Sequence, residues 1–140
     1  MQLKRLVKRL LVGSRALQAW SRLGPVRAAI LRYHSVAEDP QAFATTIGAG
    51  IIHSVTAFAQ QMELLAREYH PVTIEEIEGF LRGDRDLPRR AVAITFDDGF
   101  RDNCESAAPI LARFGLRAAF YVTTGCVGTG RAPWFCRLRS

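Results

Sequence analysis

The sequence lacks any apolar stretch long enough to cross a membrane. Its N-terminal arm has no apolar run longer than Leu10-Leu11-Val12, which Gly13 ends. A membrane-spanning helix needs about 20 mostly apolar residues, and a secretory signal needs an apolar run of roughly 7–15. The sequence therefore predicts neither, and it favours a cytoplasmic or membrane-peripheral location.

Paired cysteines are also lacking. The three cysteines, Cys104, Cys126 and Cys136, form an odd set without the close spacing of a zinc site. Disulfide frameworks use even numbers of cysteines and occur mainly in oxidising compartments. We therefore expect three free thiols in a reducing environment.

Acidic residues are absent from residues 1–32, which hold eight of the 19 Lys and Arg residues. The rest of the chain carries more acids than bases, so the net charge of +6 belongs to the N-terminal arm. Gly24-Pro25 marks a break, which predicts a basic amphipathic helix over residues 1–24 and a domain over residues 25–140.

The arm has an apolar stripe with basic residues between its members: Leu3, Leu6, Val7, Leu10 and Leu11. Such a helix either lies on an anionic membrane surface through residues 1–23 or packs against the domain, and the second interpretation is favoured. Bases are not interleaved with aromatic residues, and no nucleic-acid-binding module is recognisable, so we expect no nucleic-acid partner.

The most informative stretch is Ala91–Phe96, a short apolar run that Asp97, Asp98 and Gly99 follow at once. An unbroken apolar run of this length predicts a parallel strand buried on both faces. Two adjacent charges cannot continue into a core, and glycine permits a sharp turn. Both acids are therefore expected at the carboxyl end of a central strand, where α/β enzymes keep their chemistry.

Two interpretations of the acid pair stay open on the residues alone. Adjacent carboxylates repel, and a bound divalent metal would offset that repulsion and acidify a bound water. The alternative is a polar turn that only closes the strand.

The remaining pattern predicts an α/β protein whose parallel strands curl into part of a barrel. We expect a surface loop over residues 37–53, and a helix after Asp102 that Pro109 limits or kinks and Gly115 ends. The other predicted elements are strands at Ala28–Tyr33, Pro71–Val72 and Ala118–Val122, and helices at Val55–Tyr69 and from the Thr73 capping box to Gly83.

Some polar residues are predicted to share the rim with the acid pair. His34 follows the first strand and either lines the site or is structural, with the structural role favoured. Thr123 and Thr124 follow the last strand and could contact sugar hydroxyls. Asp102 is expected to cap a helix, because Glu105 lies three residues later. His53 and His70 are interpreted as structural or surface residues.

The segment Thr95–Phe100, TFDDGF, resembles the signature of the polysaccharide deacetylase family, which shares a domain with nodulation protein B. The resemblance extends in the same order over residues 28–138. It also includes ILRYHSV at 30–36, which is similar to the family's first strand with its Tyr-His-x-Val. The other matching segments are FAQQMELLAREYHPVTIEEI at 58–77, AAPIL at 107–111, AAFYV at 118–122 and PWF at 133–135.

This resemblance implies a distorted, TIM-like (β/α) barrel, of which about four strands are present. It implies metal-dependent hydrolysis of N-acetyl groups on N-acetylglucosamine-containing polysaccharides or oligosaccharides, with zinc as the metal. Asp97 matches the family's general base and Asp98 its aspartate metal ligand. Gly99 and Phe100, which complete the motif, are expected to line the site.

The sequence departs from the family at the metal site. The family's His-x-x-x-His motif follows the acid pair, whereas all three histidines here precede Asp97, and Cys136 stands where an acid is expected. We therefore expect a truncated deacetylase with weak metal binding and little or no activity. The alternatives are a non-catalytic half-barrel that binds carbohydrate or a membrane surface, and a protein whose basic helix is the working part.

Overall fold

The computed structural model describes residues 28–138, except the side chain of Thr46. The predicted helix over residues 1–24 lies outside the described residues and stays a prediction. The strands are β1 Ala28–Tyr33, β2 Ser35–Ala37, β3 Ile52–Ser54, β4 His70–Pro71, β5 Ala91–Phe96 and β6 Ala119–Phe120. The α-helices are α1 Pro40–Phe43, α2 Val55–Glu68, α3 Ile74–Arg82, α4 Ala108–Arg113 and α5 Trp134–Arg137.

The main sheet is organised around β5. β1 pairs with its whole length, from Ala28 opposite Ala91 to Tyr33 opposite Phe96. On the other side, β4 pairs with the start of β5 and β6 pairs with its end. All these pairs are parallel, so the predicted parallel arrangement is confirmed for the described strands. The sequence had predicted the succession of strands, but not that β1 lies beside β5 instead of beside β4.

Side chains of β5 alternate between two apolar clusters. Val92, Ile94 and Phe96 join a large cluster with α2 and α4, which includes Phe58 and Met62. Ala91 and Ala93 face a second, smaller cluster on the opposite side, formed with Val72, Ile77 and Leu87. All six residues of β5 are buried, which confirms the prediction that both faces are covered.

The helix boundaries follow their capping residues. Ser54 accepts a hydrogen bond from the backbone of Ala57 and caps α2. Thr73 and Glu76 form the predicted capping box of α3, and Gly83 ends that helix in a left-handed conformation with φ 83°. The longest helix, α2, has 14 residues. Within residues 28–138, no helix combines the length and the apolar character needed to cross a membrane.

Two sequence expectations about local structure were wrong. Residues 37–53 are not an irregular loop, because β2 and β3 form a second parallel sheet around short helical turns at Ala44–Gly48 and Ala49–Ile51. The side chain of Asp39 caps α1 between them. Gly and Pro in this stretch therefore mark turns within a folded segment.

The last strand also differs from the prediction. Only Ala119 and Phe120 pair with β5, and the predicted buried strand over 118–122 is largely exposed. β4 occupies the first half of the same side of β5, which leaves β6 only the second half. Tyr121 and Val122 are 51% and 54% exposed. The strand at 71–72 is likewise shifted by one residue, to His70–Pro71.

The capping box of α3 supplies a stability test. Thr73→Ala removes the hydroxyl that accepts a hydrogen bond from Glu76 N at 3.2 Å, so the free energy of unfolding should fall by about 1 kcal/mol. Urea denaturation followed by circular dichroism measures it. Thr56→Ala, at an exposed position in the first turn of α2, should change stability much less. Equal losses in both variants would contradict the capping role.

Candidate active site

The acid pair lies where β5 leaves the sheet. The Asp97 backbone N–H donates to the carbonyl oxygen of Tyr33 at 2.9 Å, so pairing with β1 continues one residue beyond β5. Asp98 and Gly99 then adopt left-handed conformations, with φ 72° and 71°. Asp tolerates this region better than most residues other than glycine. The predicted sharp turn is confirmed, and it begins at Asp98 instead of at Gly99.

Gly99 is required for a second reason. A Cβ atom built on Gly99 would lie 2.9 Å from Cγ1 of Val122, just after β6. The turn therefore packs directly against the segment that leads to Thr123. Both the backbone conformation and this close approach disfavour a side chain at position 99.

Two basic side chains from the end of β1 face Asp97. His34 Nε2 lies 3.9 Å from Asp97 Oδ2, and Arg32 Nε lies 3.8 Å from the same oxygen. His34 is only 17% exposed, whereas Arg32 is 68% exposed. An exposed ion pair contributes little, so the half-buried His34 is the more defined neighbour of the carboxylate. His34 therefore lies on the acid rim, as its position after β1 predicted.

The environment of Asp98 disfavours its charge. Burial raises the pKa of the Asp98 carboxyl above its usual value, and the neighbouring Asp97 raises it further. His34 and Arg32 act in the opposite direction. The net effect is a carboxyl that is costly to ionise in this structure, mainly because it is partly buried.

Aromatic side chains pack beside the acid pair, around Tyr33 at the end of β1. The Tyr33 ring stacks on Phe96 at 5.5 Å and meets the edge of the His53 ring at 5.1 Å. The Tyr33 hydroxyl donates to Gln61 Oε1 at 2.8 Å, which anchors the end of β1 to α2. Burial lowers the pKa of His53, and the nearby His34 lowers it further. His53 thus lies near the acid site, whereas His70 contacts the carbonyl of Arg89 at the start of β5.

The prediction that Asp102 caps a helix was wrong. Asp102 has helical backbone angles and its side chain makes no capping hydrogen bond with the turn Asn103–Ala107. Its carboxylate instead accepts a hydrogen bond from the hydroxyl of Ser35 at 2.5 Å. Ser35 is completely buried, and a buried hydroxyl needs a hydrogen-bond partner, which Asp102 supplies.

The other residues expected to line the site have different surroundings. The Phe100 ring packs with Phe135 against the apolar cluster that contains Ile47 and Cys136. Thr123 and Thr124 are exposed in the turn after β6. Because Phe120 is opposite Phe96, this turn begins near the carboxyl end of β5.

The cysteines carry thiols and no disulfide joins them, as predicted. Cys104 is exposed, Cys126 is half-buried and Cys136 is buried. Within the described residues, no cysteine forms a metal-binding group with Asp97 and Asp98.

The described residues do not complete a metal site. Within residues 28–138, no group of three or more His, Cys, Asp or Glu side chains is arranged to hold a metal ion. Catalytic zinc sites use about three protein ligands. Asp98 and His34 are suitable donor types, but this part of the chain does not supply a full set.

Sequence reasoning missed three residues near the acid pair: Arg32, Ser35 and Asn103. Arg32 interrupts the otherwise apolar end of β1, which was a usable signal. Ser35 and Asn103 gave none, because their roles depend on contacts between segments 67 residues apart.

The fold is therefore an α/β fold with parallel strands, and its acidic residues lie at the carboxyl end of the central strand, as in many α/β enzymes. A model of the polysaccharide deacetylase family matches residues 84–133, which include the acid pair. The Bacillus subtilis protein YxkH, named as a polysaccharide deacetylase, is 29% identical over 105 residues, covering 74% of this chain and 34% of the relative.

A second relative is the poly-beta-1,6-N-acetyl-D-glucosamine N-deacetylase of Escherichia coli. It is 44% identical over 46 residues, which are 33% of this chain and 7% of that protein. The chain thus spans about a third or less of these curated relatives.

Solved structures agree with the sequence comparisons. IcaB from Ammonifex degensii has a TM-score of 0.64 at 30% identity, over 79% of this chain and 42% of that one. The Streptococcus pyogenes deacetylase PplD, solved with acetate, has a TM-score of 0.64 at 28% identity, over 79% and 49%. The family model, the curated relatives and these solved structures all indicate the polysaccharide deacetylase family, and the partial coverage fits the N-terminal part of that domain.

The turn after β5 gives a matched pair of glycine variants. Gly99→Ala should destabilise the protein more than Gly83→Ala, because both positions have positive φ but only Gly99 meets Val122. We expect about 1–2 kcal/mol for the left-handed backbone in each variant, and a further loss at Gly99. Thermal and urea unfolding measure the difference. Equal losses would show that the Val122 contact is unimportant.

The raised pKa of Asp98 predicts a pH-dependent effect on stability. Ionising Asp98 costs more free energy in the folded state than in the unfolded state. The contribution of Asp98 to the free energy of unfolding therefore falls as pH rises from about 4 through the raised pKa. Asp98→Asn should therefore raise the melting temperature at pH 7 in a chelating buffer, and the gain should vanish near pH 3. Asn tolerates the left-handed backbone equally, so only the charge changes.

The control for this experiment is Asp86→Asn, at an exposed position before β5. It should have little effect on the melting temperature at either pH. A lower melting temperature for Asp98→Asn at pH 7 would contradict the charge cost at position 98.

Proposed function

We propose that this chain is the N-terminal portion of a deacetylase that hydrolyses N-acetyl groups on N-acetylglucosamine-containing polysaccharides or oligosaccharides. The observation that carries the proposal is the Asp97–Asp98 pair at the end of β5, with His34 Nε2 3.9 Å from Asp97. The name of the Escherichia coli relative supports a glycan with N-acetylglucosamine units. In a longer polypeptide, the parallel strands would form part of a distorted (β/α) barrel.

In this proposal Asp97 is the general base. Its side chain is 31% exposed, so a water molecule can reach it, and its carboxylate can take the proton of a water that attacks the amide carbonyl. The carbon–nitrogen bond then breaks, which releases acetate and leaves an amine on the sugar. The leaving nitrogen must gain a proton, for which the acid is not assigned to any described residue.

Asp98 is proposed as one ligand of a divalent metal, zinc by the family resemblance. Such an ion supplies Lewis-acid chemistry when bound. Because residues 28–138 lack a complete ligand set, the ion would need donors from elsewhere in the polypeptide. The expected consequence is that the 140-residue chain by itself binds zinc weakly.

A second candidate function is a non-catalytic carbohydrate-binding module. Exposed aromatic side chains near and beyond β6 favour it, since Tyr121 and Trp134 are 51% and 67% exposed. Aromatic rings with a polar group suit amphipathic ligands such as sugars. A binding module has no use for two adjacent acids, however, so the catalytic proposal explains more of the chain.

Two proposals concern residues outside the described part of the chain. We propose that residues 1–23 contact an anionic membrane surface or the domain, and that the protein is cytoplasmic or membrane-peripheral. Co-sedimentation of the 140-residue chain with vesicles that contain anionic lipid tests the first alternative. The same chain with Lys4, Arg5, Lys8 and Arg9 changed to Gln is its control.

The first functional prediction concerns the 140-residue chain. We expect little acetate release from chito-oligosaccharides, and zinc binding too weak to survive gel filtration, because the ligand set is incomplete. Acetate assays with and without added zinc and metal analysis of the eluted protein measure both. A rate comparable with that of complete deacetylases would contradict the prediction.

The intact mass of the protein from its native source is a separate measurement. A mass above the 15.6 kDa of this chain would identify a longer polypeptide.

The second functional prediction separates catalysis from binding. Asp97→Asn should lower any acetate release by a factor of at least about 100, because it removes the proton acceptor. Affinity for chito-oligosaccharides should change little, as calorimetry would measure. Asp86→Asn, an exposed acid remote from the end of β5, is the matched control. The binding-module function would be favoured if both the 140-residue protein and a longer polypeptide that contains it bound glycan but released no acetate.

A further inference from the structure

A hydrogen-bonded clamp joins the segment after β1 to the segment after the acid pair. The Ser35 hydroxyl donates to Asp102 Oδ2 at 2.5 Å, across 67 residues of sequence. The backbone N–H of Val36 also donates to the Asp102 carboxylate. A single carboxylate therefore holds two consecutive residues of β2.

Asn103 extends the clamp to His34. With its side-chain amide oriented to suit both neighbours, the Asn103 nitrogen donates to Asp102 Oδ1 at 3.0 Å and to the His34 carbonyl oxygen at 2.7 Å. Asn103 is 2% exposed, so these bonds form away from solvent. His34, Ser35 and Val36 are thus each held by Asp102 or Asn103.

The two clamped segments carry the two sides of the candidate active site. His34 is on one segment, and Asp97 and Asp98 come just before the other. The distance of 3.9 Å between His34 Nε2 and Asp97 Oδ2 depends on the pairing of β1 with β5 and on how the clamped segments are fixed to each other. Asp102 itself is separated from the acids by the turn at Gly99 and does not reach Asp97.

Placing the Asp102 carboxylate in this partly buried position costs free energy. Burial raises the pKa of Asp102, and the hydrogen bonds from Ser35 and Val36 only counteract this effect. A buried carboxylate is destabilising unless its hydrogen bonds are well formed. An apolar contact would join β2 to this turn without that cost, but it would not fix the two segments as precisely.

We propose that Asp102, acting with Ser35 and Asn103, is a positioning residue that holds His34 against Asp97. The role assigned to the site rests on the proposed function, whereas the clamp rests on the hydrogen bonds alone. Asp102 does not contact the substrate in this proposal. Its effect is to keep a half-buried imidazole beside the base and so to fix the orientation of the Asp97 carboxylate.

Histidine resonances provide the test. The whole chain has only three histidines, so a ¹⁵N-histidine-labelled sample of the 140-residue protein gives one set of ring signals for each of His34, His53 and His70. Asp97→Asn should shift the His34 ring signals, since the two side chains are neighbours. This response of His34 to Asp97→Asn measures whether the pair is held together.

In the Asp102→Ala background, the response of His34 to Asp97→Asn should fall by about half or more, because the clamp no longer fixes the pair. The signals of His70, at the opposite end of β5, should not respond in either background. Asp102→Asn keeps one acceptor oxygen and should give an intermediate result. Glu105→Ala, which alters an exposed acid in the same segment, should leave the response unchanged.

Ser35→Ala decides the matter if Asp102→Ala does not fold, because it removes only one hydroxyl group. A reduced response in this variant supports the proposal. An undiminished response in a folded Asp102→Ala or Ser35→Ala protein overturns it, and Asp102 is then only a structural residue. Absence of acetate release from a longer polypeptide with the response intact would count against the proposed function and not against the clamp.

Discussion

The burial of β5 on both faces is the constraint on which the rest of the structure depends. Its side chains alternate between a large aromatic and aliphatic cluster and a smaller one, and all six residues are buried. Charge cannot be accommodated within such a strand, so the first carboxylates appear where it leaves the sheet. β1 pairs with the whole length of β5, whereas β4 and β6 each pair with part of it, so all three strands are arranged around β5.

The candidate active site is assembled from chain segments that are distant in sequence. The end of β1 brings Arg32 and His34 to Asp97, and the turn after β5 packs Gly99 against Val122. The hydrogen bond from Ser35 to Asp102 joins the segments that follow β1 and β5. Asp97 directly follows a buried strand, so its position is well defined although its side chain is 31% exposed.

The match to the polysaccharide deacetylase family is consistent with this arrangement. The solved relatives are covered to less than half of their length, and the described residues hold no complete metal-binding group. The acid pair is therefore one part of a site whose remaining ligands must come from elsewhere if the proposed chemistry takes place.

The sequence by itself determined the elements whose signals are local. The apolar run at Ala91–Phe96, the capping box at Thr73 and the glycine at 83 each act through neighbouring residues, and the structure confirms all three. The tertiary structure alone decided which strands are neighbours, why Ser35 binds Asp102, and why residues after Phe120 are exposed. These depend on pairing and burial between distant segments. A carboxylate such as Asp102 has the same local sequence whether it caps a helix or binds a buried hydroxyl, and only the fold supplies the hydroxyl.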